Sequence, residues 1–228
     1  MLHSESAEDY LKTICKMGGM QGAVSTSALA SRLGISPVSV HEMIRKLAEQ
    51  GLVEYTPYRG VSLTPAGLRA AQNVFRRHRL WERFLHDSLG LPWARVHEEA
   101  ERLEHVTSQE VSDRLAQFLN YPQECPHGHP IGQEACACED EAARPLLELA
   151  AGESAEIERV PEDNAQMLEY LDRLGLRPGV RVTMVEIAPF DGPVTIELDG
   201  ERKAIGRPLA ERILVHIAAS HNAENQGG

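Results

Sequence analysis

The feature that most limits what this chain can fold into is a set of histidines and carboxylates at helical spacing. His78 and Glu82 stand four residues apart, and His97, Glu101, Glu104 and His105 follow within VHEEAERLEHV. A helix turns about 100° per residue, so relative to His97 the side chain of Glu101 lies at about 40°, Glu104 at about −20° and His105 at about 80°. All four project from one face, and a second helix adds His78 and Glu82. Three imidazoles and three carboxylates on facing helices make a donor set for a divalent transition metal. The bland alternative is a pair of solvated amphipathic helices whose charges only face water. The same spacing argues against several enzymes. In HEEAE, Glu101 stands where the HExxH of a zinc peptidase needs its second histidine. A di-iron carboxylate bundle, or a metal-buffering protein, is the rival reading of such a donor set. The bundle needs E-x-x-H on two helices, yet the residues three before His78, His97 and His105 are Phe75, Ala94 and Arg102. The sequence has neither a Gly-rich phosphate loop nor G-x-S-x-G. No enzymatic activity is therefore expected.

The N-terminal third has a different pattern. Ser6 to Met17 reads as a helix capped by Ser6, with Tyr10, Leu11 and Ile14 at helical spacing. ALASRLGI is a short helix closed by Gly34. Ser36 then caps a second helix, PVSVHEMIRKLAEQGL, with Pro37 at its first position. Two helices joined by a tight turn make a helix-turn-helix. Val40, Ile44 and Leu47 form its inward stripe. Ser39, His41, Glu42, Arg45 and Lys46 face outward, with Ser36 and Val38 at the entry. LVEYTPYRGVSLTPAG alternates around Arg59-Gly60 as a β-hairpin wing. A winged helix of this kind places its second helix in the major groove of double-stranded DNA and its wing, here Arg59, on phosphates. A purely structural helical hairpin is the alternative. The formal net charge of −11 is uneven: residues 1–75 hold seven Lys/Arg and six Asp/Glu, a net of +1, and the remainder carries −12. A near-neutral head on an acidic body still binds nucleic acid when its few cations are well placed.

Beyond the wing, Leu68 to Leu89 reads as one long helix, Trp93 to about Val106 as the ligand helix, and Ser108 to Leu119 as another. Their apolar faces exceed what one short domain needs, which points to a homodimer. Residues 120–145 are rich in Pro, Gly, Cys, His and acid. Cys125, His127, His129, Cys136 and Cys138 form either a zinc loop of non-standard spacing or, as the better reading, a redox-sensitive or flexible linker. From Glu153 the pattern changes to short strands (SAEIERV, RVTMVEIA, PVTIELDG, ILVHIA) around the helix AQMLEYLDRLGL, as in a small β-barrel. HNAENQGG reads as a disordered tail. The expected fold is mainly α with small β parts. Its expected divisions are a winged helix-turn-helix over 1–70, a helical metal-binding and dimerisation domain over 71–124, a linker over 125–150, an SH3-like β-barrel over 151–220 and a tail over 221–228. No apolar run approaches the roughly 18 residues that span a bilayer, and the acidic N-terminus is no secretory signal. Four cysteines suit a reducing compartment. A cytoplasmic protein with no membrane partner is expected.

RRHRLWERFLHDSLGL followed by VHEEAERLEHVTSQEVSDRL resembles the metal-binding and dimerisation region of the diphtheria toxin repressor family, iron- and manganese-dependent bacterial transcriptional regulators. The resemblance covers essentially the whole chain, and CPHGHPI is similar to the segment that follows the family's dimer domain. It implies a homodimeric repressor of metal-homeostasis genes that binds a palindromic operator when metal-loaded. It also implies two metal sites. The primary one would be Asp9, Glu101, Glu104 and His105, with His78 bridging. The ancillary one would be His78, Glu82 and His97, completed by Asp163 and Gln166. Iron-type members carry Met and Cys where this chain has Asp9 and Glu101. Carboxylates are harder donors, so Mn²⁺ is the expected metal and Fe²⁺ the alternative. The chain departs from the manganese type at Lys12, where a second N-terminal Glu would support a binuclear cluster, and in keeping a third domain. Metal is expected to tether a winged helix that otherwise moves freely.

Overall fold

The computed structural model describes residues 4–132, 143–162 and 164–217. The chain divides into two compact units, Met1–Cys138 and Glu139–Gly228. Asp163, Cys136, Cys138 and the 221–228 tail lie outside the described residues.

In the first unit, helix α1 (Glu5–Lys16) is capped by Ser4, whose hydroxyl accepts the Ala7 N–H at 3.3 Å. The cap expected at Ser6 is thus two residues early, and Ser6 lies in the first turn. Helix α2 (Thr26–Leu33) closes at Gly34, and α3 (Pro37–Glu49) is capped by Ser36 with Pro37 in its first turn. Strands β1 (Val53–Thr56) and β2 (Gly60–Leu63) pair antiparallel as the wing. Gly60 has φ +117°, and a Cβ there would meet the Val24 carbonyl oxygen at 2.2 Å, so only glycine lets β2 approach so closely. Helix α4 (Pro65–Asp87) starts one turn before the expected Leu68, because the Thr64 hydroxyl accepts the Gly67 N–H and Pro65 suits the first turn. Helix α5 (Val96–Glu104) begins three residues after Trp93, and α6 (Gln109–Phe118) is capped by Ser108.

Leu11, Ile14, Leu29, Val40, Ile44, Leu47 and Val61 share one core with Ala71 and Phe75 of α4. Each such buried Leu, Ile, Val or Phe contributes about 1.5–3 kcal/mol. The core therefore welds α1 of the winged helix to α4, the helix that carries His78 and Glu82.

The second unit contains β3 (Arg144–Pro145), β4 (Ser154–Arg159), α7 (Ala165–Leu174), β5 (Arg181–Ile187), β6 (Val194–Leu198), β7 (Glu201–Ile205), α8 (Arg207–Ala210) and β8 (Leu214–His216). Its antiparallel sheet has the order β3-β8-β4-β5-β6-β7. Ala155, Ile157, Val182, Met184, Val194 and Ile196 alternate inward and are buried. Register shifts at Ile157/Arg159 and Met184/Glu186 add the twist of the expected small SH3-like fold. Strands β3 and β7 are additions to the four strands read from periodicity. The edge strand β7 lacks apolar alternation, but the preceding Asp199-Gly200, with φ +52° and +80°, is a two-residue hairpin turn visible in the sequence.

Candidate metal centre

Glu82 is the focus of one donor cluster. It stands one turn after His78 on α4, fully buried. Its Oε1 lies 3.1 Å from His78 Nε2, 3.0 Å from His97 Nδ1 of α5 and 3.3 Å from His127 Nδ1. His78 Nε2 and His97 Nδ1 are themselves 3.0 Å apart. The other carboxylate oxygen of Glu82 is buried with no hydrogen-bond partner among the described residues. Donor atoms of His78, Glu82 and His97 lie within 4.8 Å of one another, and so do those of Glu82, Cys125 and His127. Converging nitrogen, oxygen and sulfur donors around an unsatisfied buried carboxylate fit a divalent transition metal.

Cys125 and His127 are the donors that sequence reasoning left in a linker. Both are buried, so residues 125–131 are not the flexible connection expected from composition. Trp93 Nε1 donates to the Pro126 carbonyl at 2.9 Å, and the Cys125 N–H donates to the His129 carbonyl at 2.9 Å. His127 Nε2 lies 3.1 Å from the Trp93 carbonyl, an acceptor only, so Nε2 carries a proton, and Nδ1 faces Glu82. Cys-x-His after the dimerisation helices was the available signal. Spacing judged against zinc fingers hid it, because the other donors come from a different helix.

The second cluster joins α1 to the end of α5. His105 Nε2 lies 3.2 Å from Asp9 Oδ1 and 3.2 Å from Glu104 Oε1, and these three residues form a group of converging donors. Glu101 is not gathered with them: its carboxylate is half exposed and lies 3.7 Å from His97 Nε2. His105 is the C-cap of α5 rather than a residue within it. Gln166 is exposed on α7 of the second unit.

His78 connects the clusters, since its Nδ1 lies 2.6 Å from Glu104 Oε2. Lys12 Nζ donates to Glu104 Oε1 at 2.6 Å, both groups buried. Arg77 pairs with Glu8 at 2.7 Å, and Glu8 accepts from His105 Nδ1 at 2.8 Å. Lys12, Arg77 and Glu8 thus bond α1 to α4 and α5 beside the donor cluster.

These contacts set the protonation states. Burial pulls the His78 pKa down, but the Glu82 charge and hydrogen bonds to Glu104 and Glu82 outweigh burial and the nearby Lys12, and raise it to about 9. Burial likewise opposes ionisation of Glu104, yet His78 and Lys12 hold it down at about 2. His105 is raised to about 10: burial works against the charge, and hydrogen bonds to Asp9 and Glu8 overcome it. Glu82, despite burial, is held well below the usual carboxylate range by His127 and His78.

Of the residues expected to meet DNA, Ser36, Val38, Ser39, His41, Glu42, Arg45 and Lys46 are all exposed on or beside α3, and Arg59 is exposed in the wing turn. Ser36 also accepts the Ser39 N–H at 3.1 Å as a helix cap, and His41 packs edge-on against Tyr55. On α6, Val111 and Phe118 are exposed apolar residues, 46% and 68% accessible, as a helix awaiting a partner requires.

A winged helix whose first helix lends Asp9 to a donor cluster defines the class: a metal-responsive DNA-binding regulator. Residues 2–61 match the iron dependent repressor N-terminal DNA binding domain, 64–133 the iron dependent repressor metal binding and dimerisation domain, and 144–217 the FeoA domain. The iron-dependent repressor IdeR of Mycobacterium tuberculosis is 35% identical over 225 residues, 92% of this chain and 96% of that protein. The diphtheria toxin repressor of Corynebacterium diphtheriae is 31% identical over 219 residues, with 92% and 96% covered. Among solved structures, a manganese-dependent transcriptional repressor in complex with manganese is similar with a TM-score of 0.80 and 36% identity, covering 93% of this chain and 100% of that one. ScaR with bound Zn²⁺ gives 0.79 and 32%, over 93% and 99%. The chain belongs to the iron-dependent repressor family, the metal-dependent DNA-binding transcriptional repressors that include the diphtheria toxin repressor. This is a family of regulators rather than enzymes. No helix among the described residues is long and apolar enough to cross a membrane.

Proposed function

We propose that this protein is a manganese-responsive, cytoplasmic homodimeric repressor of metal-homeostasis genes, acting on a palindromic operator. The observation that carries the reading is the Asp9–Glu104–His105 cluster, in which one carboxylate comes from the winged helix and a carboxylate and an imidazole from the dimerisation region. Asp9, Glu104 and His105 hold the primary ion, with His78 reaching across from α4, and Glu101 joins them only by swinging its half-exposed side chain away from His97. His78, Glu82 and His97 form the ancillary site, to which Cys125 and His127 contribute. The Cys125 sulfur makes that second site softer, which supports Fe²⁺ as the alternative metal there. Residues 1–70 read DNA, 71–124 bind metal and dimerise, 125–150 connect, and 151–220 form the SH3-like domain.

A bound divalent cation would take the place of the His105 Nε2 proton as the positive charge between the carboxylates of Asp9 and Glu104. Asp9 then fixes α1 against α5, adding to the Lys12 and Glu8 contacts already present. The α3 side chains face major-groove base edges, and Arg59 reaches a phosphate. Two such helices in a dimer read half-sites roughly 34 Å apart or a multiple of that. The test is recovery of sheared genomic DNA by the metal-stripped protein with chelator, with Mn²⁺, and with Fe²⁺ under anaerobic conditions. Enrichment of a few palindromic fragments only with metal is the expected result. Equal recovery under all conditions overturns the reading.

A further inference from the structure

We infer that Glu8 is a positioning residue for the primary metal cluster: it holds His105 with Nδ1 protonated, so that Nε2 is the nitrogen presented to the ion. The inference rests on Asp9, Glu104 and His105 being metal donors.

Glu8 and Asp9 are neighbours on α1 but differ in setting. The Glu8 side chain is 5% exposed and that of Asp9 47%. One oxygen of Glu8 accepts from His105 Nδ1 at 2.8 Å, and the other accepts from the Arg77 guanidinium at 2.7 Å. Arg77 in turn donates through Nε to the Glu104 carbonyl at 2.7 Å, one residue before His105. The carboxylate of Glu8 is therefore clamped from both sides. An ionised carboxylate is an acceptor only, so the nitrogen that faces it carries the proton. Nε2 faces the carboxylates of Asp9 and Glu104, at 3.2 Å from each, so an ion gathered by those two donors displaces the proton on Nε2 and leaves the one that the Arg77-held Glu8 accepts from Nδ1. A carboxylate on the far nitrogen of a metal-binding imidazole fixes its tautomer and ring orientation and raises its basicity. Serving Arg77 alone would not require Glu8 to touch the imidazole. Two adjacent residues of the DNA-reading half thus bear on one imidazole of the dimerising half, Glu8 through Nδ1 and Asp9 through Nε2.

The test uses the full-length protein with ¹⁵N-labelled histidine, loaded with ¹¹³Cd²⁺ as a diamagnetic probe, and the His105 signals assigned by comparison with His105→Asn. The expected spectrum shows cadmium coupling at Nε2 and a retained proton on Nδ1. Glu8→Ala is expected to lose about 10–100-fold in Mn²⁺ affinity. Glu8→Gln, whose amide oxygen still accepts from Nδ1 although its NH2 cannot accept from Arg77, should lose less Mn²⁺ affinity than Glu8→Ala and keep the proton on Nδ1. Cadmium coupling at Nδ1 overturns the inference, as does a folded Glu8→Ala with parental Mn²⁺ affinity. Absence of coupling at either nitrogen overturns the metal assignment of His105 itself, which separates that failure from failure of the role given to Glu8. The parent spectrum decides the matter even where Glu8→Ala does not fold.

Discussion

Metal binding should release protons, and the contacts around the two clusters fix how many. In the metal-free protein His105 is raised to about 10 and His78 to about 9, so both imidazoles are protonated at neutral pH. Glu104, at about 2, is already ionised and has no proton to give. An ion that takes His105 Nε2 must displace one proton, and a second ion at His78 displaces another. Apparent affinity at the primary site should then rise about tenfold per pH unit, about 100-fold between pH 6 and 8, or about 3 kcal/mol. Calorimetric titration with Mn²⁺ in buffers of different ionisation enthalpy reads the released protons directly, about one per ion bound. The metal-free fold should respond with the opposite sign. A histidine whose folded pKa lies above its ordinary 6.5 stabilises the fold fully below 6.5 and loses that contribution as pH rises through 9 to 10. Glu104, lowered from 4.5, stabilises above 4.5 and loses its contribution as pH falls towards 2. In chelator the melting temperature should therefore decline above pH 6.5, while in Mn²⁺ it should gain. A dissociation constant that is unchanged between pH 6 and 8, with less than about half a proton released per ion, would refute the reasoning.

Asp9→Ala should abolish metal-dependent DNA binding and leave the dimer intact by analytical ultracentrifugation; metal-dependent repression by this variant rules out Asp9 as the link between the halves. Lys12→Met leaves the buried Glu104 without its ammonium partner, and should cost about 3 kcal/mol in urea unfolding with chelator. An unchanged midpoint shows that this ion pair carries no stability. Cys125→Ala should lower the metal retained per chain after desalting, measured by mass spectrometry, and equal retention counts against Cys125 as a donor. Arg45→Ala and Arg59→Ala should each reduce the slope of log affinity against log salt by about 0.9 if each side chain neutralises one phosphate; a parental slope removes that residue from the DNA contact.

Much of the local structure was legible because it depends on neighbours in sequence. The inward stripe Val40, Ile44 and Leu47 is buried as its period requires, and Ser36 and Pro37 start α3 where capping chemistry puts them. The pairing of His78 with Glu82 followed from a four-residue interval on one helix, and their contact is 3.1 Å. Composition misled at Cys125 and His127. A stretch rich in Pro, Gly and His looks like a connector, and only its packing on Trp93 and Glu82 makes it a buried wall of the site.

What the sequence determined by itself was the order of helices and hairpins, the face each turns inward, and the presence of a donor set suited to a divalent metal. Tertiary structure decided which donors meet. Glu8 reaches His105 across 97 residues of chain, Lys12 reaches Glu104 across 92 and Arg77 reaches Glu8 across 69. Periodicity states only that such residues face a partner and is silent on which one. Wheel geometry put His97, Glu101, Glu104 and His105 on one face, yet α5 stops at Glu104, His105 turns towards α1 and Glu101 stays beside His97. The physical reason is the same in each case: helix and hairpin signals arise within a few residues, whereas a buried charge is matched only when packing brings its counter-charge from elsewhere in the chain.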